Sequence, residues 1–243
     1  MRTIWNPSKC YKLAKCYLPE EKLNVLKYHI LSVPWKFSLC HYHKDEYRRL
    51  VKYPTNVGMN KELIEAVGKI IEMSAGTEVG KEYRITHFFA EAHVIAFAQA
   101  LHSTADILSY IIEICLKLNM ANKQINFTNA LDALKKQKIA PEVSRKANKI
   151  LSSKEFMYLN AFVNTIKHRR LIEIPVHVNL EPGKELHGLR ISSFIYGKSK
   201  SREIYYEPKW VHEFLDGDFE KISNMVGELG AELNHYMKAY LVK

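Results

Sequence analysis

Apolar positions recur three to four residues apart over most of this chain, a period that predicts helices. Leu23, Leu26, Ile30 and Leu31 follow Pro19-Glu20-Glu21 at helical spacing, and Pro34 is expected to end that helix. A second helix is expected over residues 35–51. A third is expected over 60–73, with Leu63, Ile64, Val67, Ile70 and Ile71 on one stripe and Asn60 placed to cap it. Gly76 and Gly80 mark a loop. The longest helix is expected over 87–118, roughly 45 Å at 1.5 Å per residue. Ala90, Val94, Phe97, Leu101, Leu108, Ile111, Ile112 and Cys115 fall on one side of it; Glu91, Gln99, His102, Asp106, Ser109 and Glu113 fall on the other. Shorter helices follow over 127–138 and from Pro141 toward Ile150, with Thr128 and Ser152 at capping positions. Over 156–170 the apolar side is Phe156, Leu159, Phe162, Val163 and Ile166, and the polar side is Asn160, Asn164, Lys167 and His168.

The period then drops to two. Ile172, Ile174, Val176, Val178 and Leu180 alternate with Glu173, His177 and Asn179, which predicts a strand with one buried face; Pro175 suggests an edge. Turns are expected at 181–184 and 197–201, separating a returning strand over 186–196 from a short third strand over 202–206. Residues 209–240 return to helix, with Trp210, Phe214, Leu215, Phe219, Ile222, Val226, Leu229, Leu233 and Met237 as core and Gly217 dividing it in two. The fold class is therefore mainly α: a helical bundle with a small antiparallel β-meander, at about 171–206, between the last helices. Residues 1–60 are expected to form an N-terminal helical extension and 61–243 the bundle itself.

Composition adds a direction. The 243 residues carry a net charge of +10, which favours polyanionic partners, because Lys and Arg release condensed counterions from phosphates. The four cysteines Cys10, Cys16, Cys40 and Cys115 lack paired spacing, and the N-terminus lacks the apolar core of a secretory segment, so reduced thiols in a cytoplasmic protein are expected. The apolar stretch 88–118 is interrupted by Glu91, His93, Gln99, His102, Asp106 and Glu113, which speaks against a bilayer span and against a membrane partner. Cys40-His41-Tyr42-His43 lacks the two spaced ligand pairs of a structural zinc site, so neither a metal nor any cofactor is expected.

Two polar faces carry the candidate chemistry. His102 and Asp106, four apart, are neighbours on a helix surface, where a carboxylate orients an imidazole. Lys167, His168, Arg169 and Arg170 end a later helix, where the helix dipole stabilises cations whether or not they bind a ligand. The pairing of ALHSTADIL with FVNTIKHRRLI resembles HEPN domains (higher eukaryotes and prokaryotes nucleotide-binding), over roughly residues 60–240. It looks most similar to a subfamily with a Leu-His-Ser followed by Asp and an Asn-x-x-Lys-His-Arg. The resemblance implies a HEPN-like helical bundle that meets RNA or a nucleotide, works as a homodimer, and serves defence, toxin–antitoxin pairs with an antitoxin-type protein partner, or RNA processing.

Active HEPN members are metal-independent endoribonucleases. The resemblance maps the motif His onto His168 and the polar residue onto Asn164, with His102 and Asp106 as the second half of the site and Lys167, Arg169 and Arg170 as nucleic-acid contacts. Cleavage by the adjacent 2′-OH needs an acid, a base and a cation for the phosphorane charge. The position of the family's arginine falls on Val163, a departure from the pattern. Three functions follow: an atypical endoribonuclease with His168 as acid or base, an inactive RNA- or nucleotide-binding module, or a helical scaffold.

Overall fold

A computed structural model describes residues 5–51, 61–179, 186–197 and 203–242. Eight helices run α1 (Pro7–Ala14), α2 (Glu20–Leu50), α3 (Lys61–Ala75), α4 (Glu78–Leu116), α5 (Phe127–Gln137), α6 (Pro141–Ser152), α7 (Lys154–His168) and α8 (Phe219–Tyr236). Five short strands, β1 (Val176–Asn179), β2 (Leu186–Ile191), β3 (Phe194–Tyr196), β4 (Ile204–Tyr206) and β5 (Lys209–Trp210), lie between α7 and α8. The protein is mainly helical with small antiparallel sheets toward its C-terminal region. The cap expected of Asn60, the turn expected at 181–184 and most of that at 197–201 lie outside the described residues.

Local signals explain most element ends. Asn6 Oδ1 accepts from Lys9 N–H at 2.9 Å and Pro7 opens α1, an Asn-Pro start that the apolar pattern alone does not reveal. Asn126, not Thr128, caps α5, and Ser153, not Ser152, caps α7 through Phe156 N–H. Gly76 turns the chain between α3 and α4 with φ +72°. Gly80 is no loop residue: it sits in the first turn of α4, where a Cβ would lie 2.1 Å from the Glu72 carbonyl oxygen. Pro34 does not end a helix. Residues 20–50 form one helix with Pro34 inside it, because burial of Leu23, Leu26, Ile30 and Val33 before or beside the proline, and of Cys40 and Tyr47 after it, outweighs one lost hydrogen bond. Gly217 does not divide the last helix either: a π-helical stretch, Glu213–Asp218, leads into α8.

Contacts divide the chain into two compact units, and the division does not follow the expected break at residue 60. The first unit draws on Met1–Leu39, Gln99–Asn160 and Asp218–Lys243; the second on Cys40–Ala98 and Ala161–Gly217. Helices α2, α4 and α7 contribute residues to both. In the first unit, α8 packs on α6 and α1, and α6 on α5. The Trp5 ring lies against bare Gly230, where a Cβ would fall 2.3 Å from it, and Asn234 Nδ2 donates to Asn6 O at 2.9 Å. The N-terminal segment is thus part of a core that includes Leu26, Leu108, Ile112, Leu134, Ile150 and Leu229.

The second unit is centred on aromatic rings. Phe214 meets Phe97 at 5.7 Å and Phe162 at 5.9 Å between centroids, and Phe162 meets Phe194 at 6.2 Å. Edge-on and tilted geometries of this kind add about 0.5–1.5 kcal/mol per pair beyond burial. The strands form two sheets, β1-β2-β5 and β3-β4, all pairs antiparallel. The ladder of β1 starts only at Val176 because Pro175 precedes it and has no N–H to give; its carbonyl accepts from Arg190 N–H at 3.0 Å. Ile172 and Ile174 are still buried ahead of the strand. The expected returning strand splits at Ser192 and Ser193 into β2 and β3, each with its own partners.

By length and composition α4 could cross a membrane, but 56% of its most apolar window is buried within the protein. That is how a core helix behaves. Among the thiols, Cys10, Cys40 and Cys115 are fully buried and Cys16 is exposed. The hydrogen bond between Cys115 and Cys10, with Sγ atoms 3.9 Å apart, and burial raise the Cys115 thiol well above its ordinary range. A disulfide-exchange reagent is therefore expected to titrate one thiol rapidly in the native protein and four in urea, since the thiolate is the reactive form. Two or more fast thiols in the native state would contradict this packing.

Candidate functional site

His102 lies midway along α4 and is half-buried. Its Nε2 donates to Asn160 Oδ1 on α7 at 3.0 Å, because an amide oxygen only accepts. The Phe156 ring, one turn before Asn160, runs nearly parallel to the imidazole at 6.1 Å between centroids and 8° between planes. The ring is thus held at one edge and one side. With the proton fixed on Nε2, the neutral imidazole presents the Nδ1 lone pair, which can accept a proton or a hydrogen bond. Asp106, one turn along α4, is exposed, and among the described residues its carboxylate makes no bond to His102. The ring is therefore oriented by Asn160 and not by the expected Asp106. Ser109 and Glu113, expected on the same solvent stripe, are buried at 0% and 7% exposure. The polar stripe of α4 reaches solvent only over part of its length.

The remaining candidates belong to the second unit. Asn164 is half-buried, and Lys167, His168, Arg169 and Arg170 are exposed at the C-terminal end of α7. The three cations, Lys167, Arg169 and Arg170, do not have the same surroundings. The Arg169 guanidinium donates to Gly197 O and sits 4.9 Å from the centre of the Tyr196 ring. Arg169 is therefore occupied in tying the end of α7 to β3, whereas Lys167 and Arg170 are exposed and, among the described residues, are given no such contact. Val163 is fully buried, as are its neighbours Ala161 and Phe162 on α7.

The histidines of 40–43 have a different use from the metal site weighed against them. His43 Nδ1 and His93 Nδ1 are 3.0 Å apart, so one donates to the other. Burial and then the neighbouring His93 lower the His43 pKa. Among the described residues, no group of three or more His, Cys, Asp or Glu comes together to hold a metal ion. Cys40 Sγ instead points to Phe97 O at 3.9 Å inside the core.

Two residues gain importance that sequence patterning did not assign them. Asn160 stood out only as a member of a polar face, and Phe156 only as a member of an apolar one. The signal was their spacing: 156 and 160 are one turn apart, so a single ring from a neighbouring helix can touch both. No protein-family model, no curated protein and no solved structure matches the chain.

Proposed function

We propose that this chain is an RNA-interacting protein with a HEPN-like pair of polar helices, one that binds RNA without the family's arginine-dependent hydrolysis. The observation that carries the second half of this reading is Val163. A fully buried valine occupies the position where the resemblance calls for a guanidinium, and no phosphorane charge can be met from there. The basic end of α7 and the net charge of +10 support polyanion binding. One observation favours a second reading, that of an atypical metal-independent endoribonuclease. Asn160 fixes the Nε2–H tautomer of His102 and leaves Nδ1 with its lone pair, the arrangement a general base requires.

The two readings separate in one experiment. Single-stranded RNA is incubated with the full chain in EDTA at low salt, and both binding and cleavage are followed for His102→Ala, His168→Ala and Lys167→Ala. Binding without cleavage, weakened by Lys167→Ala and retained in His168→Ala, supports the binding module. Cleavage lost in both histidine variants supports the nuclease. Neither binding nor cleavage leaves a helical scaffold and sinks both readings.

A further inference from the structure

Two imidazoles of the second unit converge from different helices. His43 comes from α2 and His93 from α4, and their Nδ1 atoms are 3.0 Å apart. The rings are tilted by 47° with centroids 5.3 Å apart, so nitrogens meet here and not ring faces. Two lone pairs cannot face each other at this distance. A cation has to lie between them, either a proton carried by one ring or a metal ion held by both. Among the described residues neither Nε2 bonds to protein, so each can carry its ring's proton while both Nδ1 atoms act as ligands.

We propose that His43 and His93 form a two-histidine site for a divalent transition-metal ion of the zinc and copper type, which clamps α2 to α4. Distance is the first reason. Two imidazole nitrogens, each about 2.0–2.1 Å from one tetrahedral ion, stand about 3.3 Å apart, so the pair has to open by only a few tenths of an ångström. Protonation state is the second. A metal takes the neutral imidazole, and burial and then His93 lower the His43 pKa, which keeps its lone pair from a proton. Access and charge come third. Both rings are half-buried, so an ion can enter from water and keep water as its remaining ligands. The Glu46 carboxyl, one turn after His43, is held below its ordinary range by its hydrogen bond with Arg49 and also by His93. A carboxylate thus stands near the pair, although Arg49 Nε engages its Oε2 at 2.9 Å. The Tyr42 ring closes one side, edge-on to His43 at 5.1 Å and to His93 at 6.1 Å between centroids. Imidazole ligands suit zinc, copper and nickel, whereas magnesium and calcium take oxygen. Two protein ligands fall short of a closed structural set, so the ion is exchangeable and its affinity micromolar. Sequence spacing hides this site because its ligands are 50 residues apart. It is independent of the RNA-interaction reading, since it uses none of that reading's residues.

Equilibrium dialysis of the full chain against zinc chloride, up to tens of micromolar, tests the site. The wild type is expected to retain one zinc ion per chain, which excess magnesium does not displace and copper(II) does. His43→Ala and His93→Ala are each expected to lower zinc affinity about tenfold or more. His235→Ala, at an exposed histidine of α8, should leave it unchanged. Zinc should raise the thermal midpoint of the wild type and not that of the two site variants. Far-UV circular dichroism separates a lost ligand from a lost fold. The electron paramagnetic resonance spectrum of the wild type with one equivalent of copper(II) needs no variant and should show coupling to two nitrogens. A wild type that retains no zinc overturns the proposal, as does zinc that stays on both folded site variants. A copper spectrum with fewer than two coupled nitrogens overturns it as well.

Discussion

Val163→Arg is expected to abolish cooperative folding, not to restore a nuclease. Val163 is fully buried on α7, in a row with Leu159 and Phe162, which are equally inaccessible. An arginine there is longer and bulkier than the valine, and overpacking a well-filled core costs roughly 1–3 kcal/mol. Its guanidinium would also have to leave water for the core around a fully buried position. An unpaired buried charge adds several kcal/mol more. The sum approaches the roughly 5–15 kcal/mol of total stability available to a protein of this kind. Urea titration followed by circular dichroism should show no cooperative transition, or one displaced to much lower denaturant. Asn164→Arg, at a half-buried neighbour, should fold. A folded Val163→Arg variant would contradict the packing, and one that also cleaved RNA would mark this position as one where only an arginine is missing for catalysis.

Acidification from pH 7 to 4 should cost about 2–3 kcal/mol of stability through His87 alone. His87 is 8% exposed and its ring lies against Tyr83 at 4.3 Å between centroids. Burial lowers its pKa from 6.5 to about 4. The unfolded chain therefore takes up a proton below about pH 6.5 that the folded chain refuses until about pH 4, and the equilibrium moves toward unfolding across that interval. His43 and His29 are shifted the same way, by burial in both cases, and add to the slope. The carboxylates act lower on the scale. Glu228 is held below its ordinary value by the Lys146 hydrogen bond, so its contribution is lost only as pH falls through that depressed value. Urea midpoints at pH 7 and pH 4.5 should differ clearly in the wild type and by much less in His87→Gln. An undiminished difference in the variant would mean that this ring is not what the fold keeps neutral.

Much of the helical architecture is legible because it is periodic. The apolar side predicted for α4 is buried at all eight positions, from Ala90 to Cys115, and so is the core expected of the last helix, apart from Trp210, which is half-buried and lies on strand β5 instead of in a helix. What the pattern misses is set by contacts distant in sequence. Proline propensity argues for a break at Pro34, but burial on both sides of it keeps α2 whole. Nothing local says that Trp5 will cover Gly230 or that Cys10 will meet Cys115, so residues 1–60 read as an appendage. The partners of the candidate residues are hidden in the same way. His102 and Asp106 are neighbours by helical spacing, whereas the true partner of His102 lies 58 residues on and depends on how α4 meets α7. Arg169 reads as a free cation because its partners, Tyr196 and Gly197, come after β1 and β2. Val163 is the opposite case: its burial follows from the apolar pattern of α7 alone.

The measurement that tests the central claim most directly is equilibrium binding of single-stranded RNA to the full chain, in EDTA, across a salt series. The account predicts saturable binding whose affinity falls steeply as salt rises, weakens severalfold in Lys167→Ala and proceeds without strand cleavage. RNA that is not bound even at low salt would contradict it, and metal-free cleavage that requires His102 would transfer the site to the endoribonuclease reading.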